Sequence, residues 1–104
     1  MNSSDLFEKL GFSHLYCLAP EQIMKNESSL YYTDIWACGI ILYLMFSGTH
    51  PFKAQNNYDL CKRILNDQVC FKSKEWRCVS KHAKSLISAM LVKNPLKRLS
   101  LIEL

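Results

Sequence analysis

The sequence predicts an all-α fold of about five helices. Three observations carry this: an uninterrupted apolar run over 35–46, an amphipathic pattern over 80–91, and no segment with the period-two alternation of a half-buried strand. With 104 residues, the chain is sized for one domain or part of one; at this size only about 60–65% of the surface exposed by the unfolded chain is buried. A composition of 49% hydrophobic and 21% charged residues fits a compact protein and excludes a disordered tail or a collagen-like chain.

Residues 1–18 have no clean period, and Gly11-Phe12-Ser13-His14 reads as loop. Pro20 suits the first position of a short helix, where its missing N–H costs nothing, and the polar run Asn26-Glu27-Ser28-Ser29 ends it. Thr33 or Asp34 is positioned to cap a helix over 33–47, whose twelve apolar residues, 35–46, predict burial on all sides. A membrane span needs about 20 such residues, so no membrane helix is expected. Gly48 and Pro51 stop this helix.

The next helix is expected over 56–66, with Tyr58, Cys61, Ile64 and Leu65 on its apolar face. Residues 67–79 are irregular, with Phe71, Trp76 and Val79 as anchors. Ser80 caps the helix over 80–91, where Ala83, Leu86, Ile87, Met90 and Leu91 follow i, i+3, i+4, i+7, i+8. Asn94-Pro95 opens a turn, and Ser100 with Glu103 forms a capping box for a last helix over 100–104. Its apolar residues Leu101, Ile102 and Leu104 have no helix to complete, which predicts an incomplete domain.

Five cysteines without a C-x-x-C pair, and three dispersed histidines, suggest neither a zinc site nor a disulfide framework. A reducing, cytoplasmic setting fits, and the N-terminus has neither a secretory nor an N-myristoyl signal. Residues 1–52 carry a net −3 and residues 53–104 a net +7. The basic residues fall singly along helical patterns without aromatic interleaving, so solvated helix faces are expected and nucleic acid is not.

Three motifs stand in order: Ala19-Pro20-Glu21; Asp34-x-Trp36-x-x-Gly39 with Tyr43, Gly48 and Pro51-Phe52; and Asn94-Pro95-x-x-Arg98. The first matches the A-P-E motif that closes a kinase activation segment. Together they resemble the C-terminal lobe of a eukaryotic Ser/Thr protein kinase domain, over roughly residues 9–104. The run 34–43 with Ser47-Gly48-Thr49, Trp76, Val79-Ser80 and Ala83-Lys84 looks most like the calcium/calmodulin-dependent and calcium-dependent group.

The resemblance implies a role for each matching residue. Residues 1–21 would be the end of the activation segment, and Ser13, His14, Leu15, Tyr16, Cys17 and Leu18 its substrate loop. Glu21 would pair with Arg98 in the interior. Asp34 would accept backbone N–H bonds from a catalytic loop. Trp36 and Gly39 would pack, Gly39 allowing a close neighbour. Ile41 and Met45 would belong to the hydrophobic spine, although ordinary core positions read the same way. In the substrate loop the chain departs from the family's Gly-Thr-x-x-Tyr, with His14 in place of the Thr and Cys17 in place of the Tyr.

Phosphoryl transfer needs a Gly-rich loop, a phosphate-binding Lys, an Asp that positions the hydroxyl, and an Asn and Asp for Mg²⁺. No G-x-G-x-x-G, H-R-D or D-F-G occurs in these 104 residues. No catalytic residue, metal ligand or cofactor is therefore expected within the chain, with ATP and Mg²⁺ implied only for the complete parent kinase, whose N-lobe and catalytic loop are missing here. The expected partner is a protein, as the kinase's substrate or, on the alternative reading, as the ligand of a non-catalytic kinase-derived interaction module.

Overall fold

Gly39 fixes the central crossing of the molecule. In the computed structural model, which describes residues 17–25 and 30–99, Gly39 lies on an 18-residue helix that meets a second helix with almost no side-chain gap. The described residues form four α-helices: α1 (Pro20–Ile23), α2 (Leu30–Ser47), α3 (Asn57–Asn66) and α4 (Lys81–Met90). Two 3-10 turns, Lys74–Trp76 and Pro95–Lys97, join them, and there is no strand among these residues. The helix expected over 100–104 lies outside the described residues.

α2 begins earlier than the capping pattern predicted. Thr33 and Asp34 sit inside the helix, because the Thr33 hydroxyl donates to Glu21 Oε2 at 3.0 Å and so does not cap the first turn. The buried stripe of α2 is Trp36, Ile40, Tyr43 and Ser47. Gly48 closes the helix at φ 78°, its N–H donating to the Leu44 carbonyl at 2.7 Å. The expectation of burial on all sides does not hold: Asp34 and Cys38 are exposed, and Met45 and Phe46 are 74% and 45% exposed. Apolar content gives no facing direction: Ile35, Trp36, Ala37, Ile40 and Tyr43 are buried on α2, while Met45 and Cys38 are exposed. No helix of the described residues is long and apolar enough to cross a membrane.

α3 is capped by Asn56, whose side chain accepts from the Asp59 N–H at 2.8 Å. Its core residues are Leu60 and Ile64; Tyr58, expected on the apolar face, is 71% exposed and lies under the Lys62 ammonium. A ring in the first turn can take a cation from the next turn over its face, whereas Leu60 and Ile64, four apart, form the inward row. α4 is capped by Ser80, which accepts from the Ala83 N–H at 3.1 Å, and it buries Ile87 and Met90.

The core is organised around two indoles. Trp76, fully buried, meets Tyr43 and Phe71 at 4.8 Å between centroids and Phe46 at 5.8 Å. The Tyr43 hydroxyl donates to the Cys70 carbonyl at 2.6 Å, tying the irregular segment after α3 to α2. Trp36, also fully buried, stacks on Phe52 with centroids 6.0 Å apart.

A Cβ on Gly39 would lie 2.8 Å from Leu91 Cδ2 and 3.0 Å from Met90 Cβ. Leu91 can rotate, but the Met90 Cβ moves only with α4. Gly39→Ala is expected to cost about 1–3 kcal/mol from overpacking, against about 1 kcal/mol of helix propensity gained by alanine. Thermal unfolding should show a lowered midpoint; an unchanged or raised one would mean that α4 can shift to admit a methyl group.

Candidate functional site

Glu21 and Arg98, 77 residues apart in sequence, meet in the interior. Glu21 is presented by α1, which Ala19 introduces in extended conformation while the Gln22 side chain accepts the Ala19 N–H at 2.9 Å. Arg98 follows the Pro95–Lys97 turn, which starts where the Asn94 side chain accepts from the Leu96 N–H at 3.0 Å. The Leu99 N–H donates to the Ala89 carbonyl and fastens this segment to α4.

The pair is bidentate. Arg98 Nη1 and Nη2 donate to Glu21 Oε2 and Oε1, each at 2.8 Å. The remaining donors reach backbone carbonyls: Nη1 that of Tyr32 at 2.7 Å, Nη2 that of Lys93 at 3.2 Å and Nε that of Val92 at 2.8 Å. All five guanidinium N–H groups are thereby satisfied. Both residues are 3% exposed. Burial by itself would raise the Glu21 carboxyl, but the Arg98 hydrogen bonds and charge, with Thr33 adding a third donor, hold it below the ordinary carboxylate range.

An aromatic and cationic stack braces the pair. The guanidinium carbon of Arg98 lies 5.1 Å from the Trp36 ring centroid, and Lys93 Nζ lies 5.7 Å from Trp36 and 4.8 Å from Phe52. The same ammonium donates to the Ile64 carbonyl at 2.6 Å, in the last turn of α3. Burial pushes Lys93 down from the usual lysine value, with Asp67 acting in the other direction. Trp36 Nε1 is buried without a hydrogen-bond partner, so the ring is held through its faces. Chemically the arrangement is a clasp whose acid and base are consumed by each other.

The profile of the family described as protein kinase domain matches residues 2–104. The chain belongs to the protein kinase domain family. Among its relatives, a calcium and calcium/calmodulin-dependent serine/threonine-protein kinase of Medicago truncatula is 38% identical over 89% of this chain and 18% of the relative. Calcium-dependent protein kinase 4 of Arabidopsis thaliana is 39% identical over 82% of this chain and 17% of its own length. The twitchin kinase region from C. elegans superposes with a TM-score of 0.77 at 25% identity, covering 82% of this chain and 15% of that one. The chain thus spans less than a fifth of each of these relatives, and its helices are those of a kinase C-lobe.

The structure distributes the kinase-motif residues unevenly. Ala19, Pro20, Glu21, Trp36, Gly39 and Arg98 converge in the interior. Asp34 is exposed on α2, Ile41 is half-buried and Met45 is exposed, so these three do not join the clasp. Of the substrate loop, Ser13, His14, Leu15 and Tyr16 lie outside the described residues. Leu18 is half-buried, and Cys17 is buried, which pushes its thiol up to about 12. Two participants escaped the sequence reading. Thr33 carries a capping signal that concealed its role toward Glu21, and Lys93, beside Asn94-Pro95, resembles any surface lysine.

Proposed function

We propose that the chain is the bracing portion of a Ser/Thr protein kinase whose whole form phosphorylates protein hydroxyls with ATP and Mg²⁺, and that these 104 residues perform none of that chemistry. The single observation carrying this is the buried Glu21–Arg98 clasp, which joins the A-P-E segment to the end of the lobe. A kinase must hold its activation segment rigidly against the C-lobe, and a bidentate pair with every donor engaged does so.

The described residues supply no cradle for Mg-ATP. Gly39 is packed against Leu91 and Met90, and Gly48 closes α2, so neither belongs to a phosphate cradle. Among the described residues no three His, Cys, Asp or Glu gather. Asp34 and Met45, exposed on α2, are the positions on which a catalytic loop and the rest of a spine would seat in the whole kinase. Five thiols without a disulfide partner support a reducing, cytoplasmic setting.

Calorimetric titration of the chain with Mg-ATP should show no binding; micromolar affinity would overturn the reading. The departures at His14 and Cys17 favour a second reading, in which the lobe is a non-catalytic module that binds protein partners. Sequencing the gene upstream of the Met1 codon separates the two: in-frame Gly-rich loop, H-R-D and D-F-G codons support the kinase, and an initiation site with upstream stops supports the module.

A further inference from the structure

We propose that the groove between residues 53–55 and the outer face of α3 docks an acidic segment of a protein partner. The proposal extends the kinase-scaffold reading by naming a partner surface, and rests on it only in taking the chain as a folded C-lobe. The groove encloses about 860 Å³, and its charged lining is Lys53, Lys62, Arg63, Asp59 and Asp67.

Counted by sign, the groove carries one more cation than acid, and its two carboxylates are engaged with neighbours other than the three cations. The Asp59 carboxylate accepts from the Asn56 side-chain amide at 3.0 Å, and Asn56 caps the Asp59 N–H in return. Asp67 closes α3, its N–H donating to the Arg63 carbonyl at 2.8 Å, and its charge acts on the half-buried Lys93. Lys53, Lys62 and Arg63 are exposed, and the one ion pair among the described residues is Glu21–Arg98, so no carboxylate bridges to these three. Lys62 is held over the Tyr58 ring at 5.2 Å, which limits the rotamer freedom it loses on binding. Arg63 presents a planar fork suited to a carboxylate.

The same lining selects against a continuous polyanion. A nucleic-acid backbone would press phosphates against Asp59 and Asp67 as well as the cations, and no aromatic ring is among the residues lining the groove for a base to stack on. A peptide can place carboxylates opposite the three cations alone and leave neutral residues beside the two acids.

The test is fluorescence anisotropy of a short labelled peptide alternating Glu and Ala, titrated with the 104-residue chain. Binding that weakens with added salt is expected. Lys62→Glu/Arg63→Glu should weaken it by at least about tenfold, while Lys72→Glu, outside the groove lining, changes it less than about twofold. If the double variant loses its far-ultraviolet helical signal, Lys53→Glu takes its place, with a loss of about threefold expected. The proposal is overturned if the peptide does not bind, if the folded variants bind it as well as the parent, or if single-stranded RNA or phosphatidylserine vesicles bind more tightly through the same residues. Each of these outcomes leaves the Mg-ATP titration and the upstream gene sequence, which judge the kinase reading, untouched.

Discussion

Arg98→Ala is expected to destabilise the fold by about 3–5 kcal/mol, a large part of the 5–15 kcal/mol or so available to a domain. The Glu21 carboxylate, 3% exposed in the intact fold, would be left without its counter-charge, and the carbonyls of Tyr32, Val92 and Lys93 would lose their donor together. Chemical denaturation followed by circular dichroism measures the loss, and a value below about 1 kcal/mol, the range of exposed pairs, would contradict the interior clasp. Glu21→Gln combined with Arg98→Met should cost less than Arg98→Ala, because no charge is then stranded. The pair also sets an acid response. Its folded carboxyl lies below the ordinary glutamate value of about 4.3, so the unfolded chain takes up the proton first. The stabilisation is complete above that pH and is lost as pH falls through and below it. His50, depressed by burial and by Lys53, begins its own loss nearer the ordinary histidine value, so the Glu21 component is read as the difference from Glu21→Gln at the acid end.

Trp76→Ala is the second large effect, with an expected loss of about 3–5 kcal/mol. The indole is fully buried and is the ring on which Tyr43, Phe46 and Phe71 converge. Removing it leaves a cavity between α2 and the segment before α4, and the Tyr43 hydroxyl must hold the Cys70 carbonyl without the ring that orients it. Trp76→Phe should cost less than half as much, since a smaller ring keeps part of the contact. Denaturant midpoints of the two variants measure this directly, and an alanine variant within about 1 kcal/mol of the parent would show that the core collapses around the gap.

The sequence conveyed the short-range features well. Ser80 caps α4, as a polar side chain ahead of an apolar period predicts, and Gly48 takes the left-handed conformation that ends α2, whereas Asn56, expected inside the next helix, proves to be its cap. It failed where one residue type serves two partners. Thr33 has the chemistry of a cap, and only tertiary structure directs its hydroxyl to Glu21. Hydrophobicity alone places Tyr58 inward, whereas its ring stands exposed under the Lys62 ammonium. The apolar run of α2 announced a central helix but not that Met45 faces outward and Phe46 is only partly covered by Trp76, since a helix apolar all round has no period to read. Lys93 gave no sign at all, because a cation over two stacked rings depends on residues 36 and 52 arriving at the same place.

The Glu21–Arg98 clasp also has a direction in time. The ribosome releases residue 21 long before residue 98, and at about 5–20 residues per second the 77 residues that follow, up to and including residue 98, take some 4–15 s to emerge. Throughout that interval α1 has neither its guanidinium nor the stack behind it, and the carboxylate remains hydrated. The clasp therefore closes only when Arg98 is made, and until then α1 must be held by its other contacts alone.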